Sequence, residues 1–139
     1  MIPKFNEDGY LPKGEHKATL SEIRKRFGSN SQKRKELFEG FKTLMQLLRK
    51  HKDKIQKFLL DGSFVTNKKA PEDFDCILIV KNDFDFGSSE AKQLLEAKKL
   101  FNAHLFTFVK EDVIRYRRLI DFFEHDRDRK SKGLLEVSL

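Results

Sequence analysis

The chain changes its hydrophobic period several times, and each change marks an element. After Ser31, the residues Leu37, Phe41, Leu44 and Leu48 recur at i, i+4, i+7 and i+11, with Phe38 and Met45 widening the stripe. That spacing predicts an amphipathic helix of about five turns with its basic residues on the outer face. Upstream, Thr19-Leu20-Ser21-Glu22 has the spacing of a capping box and predicts a short helix to about Phe27, ended by Gly28. Ser29, Asn30 and Ser31 then offer a second N-cap. Residues 1–18, with Pro3, Asp8-Gly9, Pro12 and Gly14, read as an irregular arm.

Downstream the period shortens. Phe58-Leu59-Leu60 runs into Asp61-Gly62-Ser63 as a buried strand ending at a glycine turn. Phe74 to Val80 and His104 to Val109 are two further strands rich in β-branched and aromatic residues. Between them Ser88-Ser89-Glu90 caps a helix carrying Ala91, Leu94, Leu95, Lys98 and Phe101 at helical spacing. Asp112 to about Glu124 forms another helix with Val113, Tyr116, Leu119, Ile120 and Phe123 inward, and Leu134 to Leu139 alternates weakly as an edge strand. This order predicts an α/β (α+β) fold, a small mixed sheet of three to four strands packed with helices. At 139 residues it is one domain, spanning 1–139.

Composition narrows the class. The longest apolar run, Cys76 to Val80, is far too short to span a bilayer, which takes about 20 residues. The start lacks the apolar stretch of a secretory signal, and one cysteine excludes an internal disulfide framework. These features predict a cytoplasmic protein without membrane contact. The net charge of +7 is unevenly spread, because residues 22–57 hold twelve basic residues against four acidic ones. This basic helical segment is either a solvated face or a surface that attracts RNA phosphates.

One stretch carries distinctive chemistry. At Gly62 the absent side chain lets backbone approach a phosphate, and the Ser63 hydroxyl with the following amides can hold its oxygens. Lys68, in the loop that follows, is placed to reach the same phosphate. Asp73 and Asp75 flank Phe74, and on a strand such i, i+2 carboxylates face one way about 6.6 Å apart. An oxygen-rich pair of this kind suits Mg²⁺.

A hydrophobic strand, Gly62-Ser63, about ten residues, and then Asp73-Phe74-Asp75 entering a second strand resembles the polymerase-β-type nucleotidyltransferase superfamily in its minimal form. The arm Asn6 to His16, the core Leu60 to Thr66 and the tail His125 to Gly133 are together similar to a prokaryotic nucleotidyltransferase-like family of unknown function. The resemblance implies that Gly62 and Ser63 grip a nucleoside triphosphate while Asp73 and Asp75 bind Mg²⁺ or Mn²⁺. It implies transfer of a nucleotide to a hydroxyl on RNA or protein, with residues 22–57 holding the acceptor. Such small domains also resemble toxin or antitoxin components of two-gene systems. The superfamily expects a third carboxylate on the next strand, which here contains none and offers His104. Either His104 substitutes, another acid such as Asp61 enters, or the fold serves as a non-catalytic nucleic-acid- or partner-binding module.

Overall fold

The computed structural model describes residues 1–89, 91–93, 96, 103–109 and 112–139, giving backbone alone at 103–109, 113, 114 and 116. Two helices open the domain. Helix α1 (Leu20–Phe27) starts from the expected capping box, in which the Thr19 hydroxyl accepts the Glu22 N–H and the Glu22 carboxylate accepts the Thr19 N–H. Helix α2 (Gln32–Arg49) is capped by Ser31, whose Oγ accepts the Arg34 N–H at 3.2 Å. The whole stripe read from its sequence, Leu37, Phe38, Phe41, Leu44, Met45 and Leu48, is buried.

These helices cover one face of a mixed sheet. Its strands are β1 (Glu15–Ala18), β2 (Ile55–Asp61), β3 (Phe74–Val80), β4 (Ala103–Val109) and β5 (Leu134–Val137), in the spatial order β1-β5-β2-β3-β4. β2 pairs antiparallel with β3 and β5, whereas β1–β5 and β3–β4 are parallel. Helix α3 (Val113–Phe123) supplies Leu119, Ile120 and Phe123 to the opposite face, against Leu59, Ile77, Ile79 and Leu134. The fold is therefore the small α+β arrangement expected, one strand wider. No helix among the described residues is long and apolar enough to cross a membrane.

Three sequence expectations change. The arm is not irregular to its end, because Glu15–Ala18 adds a strand whose polar residues show no alternation. Leu134–Val137 is not an edge strand, since it lies between β1 and β2. Being covered on both faces, it keeps apolar residues at consecutive positions, which erases alternation. The basic residues of α2 do not all face outward either, for Arg34 is only 4% exposed. The helix expected after Ser88 lies largely outside the described residues, including Leu94, Leu95, Lys98 and Phe101. Its described start fits the expected cap, with Ser88 Oγ accepting the Ala91 N–H at 3.1 Å.

Phenylalanines tie the layers together. Phe41 of α2 stacks on Phe58 of β2 at 6.1 Å between ring centroids and meets Phe74 of β3 edge-on at 5.6 Å. Phe64 joins Phe74 to Phe27 of α1. Each such pair adds about 0.5–1.5 kcal/mol beyond its buried area.

Arg34 does a different job. Its Nη1 donates to the carbonyls of Phe27 (3.2 Å) and Phe64 (2.6 Å), and its Nη2 to those of Thr66 (2.8 Å) and Lys68. One side chain thus satisfies three acceptors of the loop that follows the glycine turn. A buried acceptor left unpaired costs about 1–3 kcal/mol. Arg34→Met should therefore destabilise the protein by about 3–5 kcal/mol in urea denaturation. Arg34→Lys, which keeps the charge and lacks the fork, should recover only a minority of that loss. A loss below about 1 kcal/mol for Arg34→Met would show that the loop holds itself.

Candidate functional site

The ends of β2 and β3 meet where the chemistry was expected. In the antiparallel register Asp61 stands opposite Asp75, and on the other side Asp75 stands opposite His104 of β4. Asp61, Asp75 and His104 therefore form one row across three strands. The side chain of His104 lies outside the described residues. Phe74, fully buried between its two aspartates, anchors the entry to β3 through its contacts with Phe41 and Phe64.

Gly62 makes the turn possible. Its φ of +90° and ψ of −174° belong to a region open almost only to glycine. Space is the second constraint, since a Cβ there would sit 3.0 Å from Asp75 Oδ2 and 3.1 Å from the Asp75 nitrogen. Ser63 then opens a 3₁₀ turn (Ser63–Val65), and its carbonyl accepts both the hydroxyl and the N–H of Thr66. The glycine identified from sequence thus lies directly against one of the two predicted aspartates, with the serine next in the turn. Asp73 precedes β3 and is, like Asp75, partly exposed.

Asp61 is the most perturbed acid of the site. It is 1% exposed, its Oδ2 accepts no hydrogen bond, and Lys132 Nζ lies 3.7 Å away. Burial pushes its carboxyl up to about 7, and the negative charge of Asp75 adds to the rise. Lys132 and the Gly62 backbone N–H pull in the opposite direction without cancelling it. At 3.7 Å the lysine gives ionic attraction rather than a hydrogen bond. Burial also raises the neighbouring Cys76 thiol well above its usual range, which leaves it protonated and inert.

The C-terminal tail lies against Asp75 and reaches Asp61 through Lys132. A cleft of about 470 Å³ is lined by Asp75, Phe122, Phe123, His125, Asp126, Arg127, Arg129 and Lys132. Asp126 shapes the tail by accepting the N–H groups of Asp128 (2.9 Å) and Lys130 (2.8 Å) on Oδ1 and the Tyr10 hydroxyl (2.8 Å) on Oδ2. Lys130 pairs with Asp8 at 3.0 Å, and the Gly133 N–H donates to the Leu11 carbonyl. The arm reaches the core loop as well, where Gly9 accepts the Asn67 N–H. Arm, core and tail, three separate motifs along the chain, are one packed unit in space.

Sequence reading missed Lys132 and the tail's position, because pairing of residues more than fifty positions apart leaves no local periodicity. It also placed Lys68 with the nucleotide site. Lys68 is exposed and lines a different cleft, beside Arg26, Arg34 and Lys69. Among the described residues no three His, Cys, Asp or Glu side chains converge as a ready-made metal centre.

The state of Asp61 sets a pH dependence. Unfolded, its carboxyl ionises near 3.8, whereas folded it holds its proton to about 7. Between those values the unfolded chain binds fewer protons, so this group lowers folding stability as pH rises, and the cost is complete above about 7. Three units correspond to about 4 kcal/mol. Asp61→Asn escapes that cost, so its stability relative to wild type should climb between pH 4 and pH 7 and then level off. Urea denaturation across that range measures it, and a difference independent of pH would refute the burial argument.

Neither a curated protein nor a solved structure matches this chain. A family model does match over residues 3–138, which takes in the arm, the glycine turn, the aspartates and the tail, and the chain belongs to that family, a family of unknown function (DUF6932).

Proposed function

We propose that this chain binds a magnesium–nucleoside triphosphate at the Gly62 turn and transfers its nucleotide to a hydroxyl of RNA or protein, the hydroxyl oxygen bonding to the α-phosphorus as the bond to the β-phosphate breaks and pyrophosphate leaves. The observation that carries the reading is the contact of Gly62 with Asp75 beside the buried, unsatisfied carboxylate oxygen of Asp61. Hard oxygen donors at the mouth of a cleft fit Mg²⁺, which commonly takes one or two carboxylates and completes its shell with phosphate oxygens and water. Asp73 and Asp75 would hold it. When bound, the ion supplies charge stabilisation at the reacting phosphorus.

The remaining roles fall to the chain itself. The Gly62–Ser63 turn holds a phosphate through backbone N–H groups and the serine hydroxyl. Arg127, Arg129 and Lys132 line the cleft with positive charge to neutralise the triphosphate, and the exposed Phe122 ring gives a base a surface to stack on. Asp61 takes the place of the carboxylate that β4 lacks. Burial equips it to accept the proton of an acceptor hydroxyl near neutral pH.

A second reading, a binding module without catalysis, draws on Lys132. Its ammonium already gives Asp61 a counter-charge, as an inactive descendant of such a site would require. The two readings separate experimentally. Calorimetry with a non-hydrolysable triphosphate and Mg²⁺ should show binding that Asp73→Asn with Asp75→Asn weakens at least about thirtyfold. Asp61→Asn should bind normally yet lose label transfer from each α-labelled triphosphate to total RNA or lysate by about 10²–10⁴-fold. Binding unchanged in the double variant sinks the nucleotide reading, and binding without any transfer by wild type favours the module.

A further inference from the structure

A second cleft, of about 400 Å³, lies where α1, α2 and the loop 66–69 meet. Its walls carry the cations Arg26, Arg34, Lys68 and Lys69 and the neutral amides Asn30 and Asn67, with no carboxylate among the lining residues. Arg34 is committed to four carbonyls. Arg26, Lys68 and Lys69 form no ion pair with any described residue. Three such cations around one concavity, with no carboxylate on its walls, are a site for an anion.

Arg26 adds a second kind of chemistry. Its guanidinium carbon lies 4.5 Å from the centre of the Phe5 ring and 5.5 Å from that of Phe27. Both rings lie within cation–π reach and hold the half-buried guanidinium, whose exposed part offers a flat group a surface to stack on. A phosphate beside a flat aromatic group is the repeating unit of a nucleic-acid strand. An acidic peptide would satisfy the lysines and leave the platform unused. An intact duplex keeps its bases stacked inside, so the strand must be single.

We propose that this cleft binds single-stranded nucleic acid, with Lys68 and Lys69 on a backbone phosphate and an unstacked base on the Arg26–Phe5 platform. The site sits on the loop between Ser63 and Asp73, so a strand held there is fastened to the same segment that carries the glycine turn. It stands apart from the nucleotide reading. A variant with Asp73→Asn and Asp75→Asn should bind the strand as wild type does, so the two proposals fail separately.

The test is fluorescence anisotropy with labelled U12 RNA and T12 DNA, titrated at several salt concentrations. Lys68→Ser with Lys69→Ser, both at exposed loop positions, should weaken binding about tenfold or more and reduce the salt slope by about 0.7, the increment of one single-strand phosphate. Lys35→Ser with Lys42→Ser removes the same charge from exposed positions of α2 and should cost less than about threefold. Arg26→Lys keeps the charge and loses the stack, and should weaken binding about three- to tenfold at an unchanged salt slope. Loss confined to RNA or shared with DNA identifies which strand the cleft takes, and either supports the proposal. Four results overturn it: no binding by wild type, equal loss in the α2 control pair, uridine monophosphate competing as strongly as the 12-mer, or a polyglutamate peptide doing so.

Discussion

The structure turns on one guanidinium. Arg34 buries its charge at the base of a cleft with no carboxylate among the described residues to meet it, and four carbonyl oxygens solvate it instead. A buried charge without compensation is among the most unfavourable groups a protein can hold, so the arrangement persists only while all four acceptors stay in place. The dependence runs both ways. Helix α2 is positioned on the sheet by its apolar stripe, and through Arg34 it fixes the path of residues 64–68, which would otherwise carry inward-facing carbonyls without partners. The glycine turn on one side of that loop and Asp73 on the other inherit their positions from it.

The two faces of the sheet then divide the work. On the α1–α2 side, Phe58, Leu60, Phe74, Cys76 and Leu78 pack into a continuous apolar layer. The pleat sends their neighbours Leu59, Asp61, Asp75 and Ile77 the other way. Asp61 and Asp75 occupy the end of that second face where α3 gives way to the tail. Packing on one side thus holds a buried, charged arrangement on the other. The raised ionisation of Asp61 is what that side gives up in stability for it.

Much of this was legible in the sequence, and the legible part has a common property. The two N-caps, the α2 stripe and the turn at Gly62 are each written within a few residues, where periodicity and capping chemistry act directly. Asp75 beside Gly62 was readable because the loop between them closes a hairpin-like pair of adjacent strands. What escaped depends on long-range pairing. Arg34 looks like any surface base of an amphipathic helix until Phe64, Thr66 and Lys68 arrive from thirty or more residues away. Lys132 reaches Asp61 across a separation of seventy-one positions, and β1 becomes a strand only because β5 returns to pair with it.

The placement of β5 also constrains how the molecule is made. It enters between β1 and β2, strands that precede it by more than seventy residues and that share a Glu15–Lys57 ion pair but no ladder of their own. As the chain leaves the ribosome, the β2–β3 hairpin and its covering helices have partners at once, while β1 must wait with an open edge. Pairing of β5 joins β1 to the β2–β3–β4 strands, and the same segment carries Lys132 to Asp61 and Gly133 to Leu11. A nascent chain therefore lacks the cleft until the segment through Val137 has emerged, so whatever chemistry the cleft performs is withheld from shorter copies.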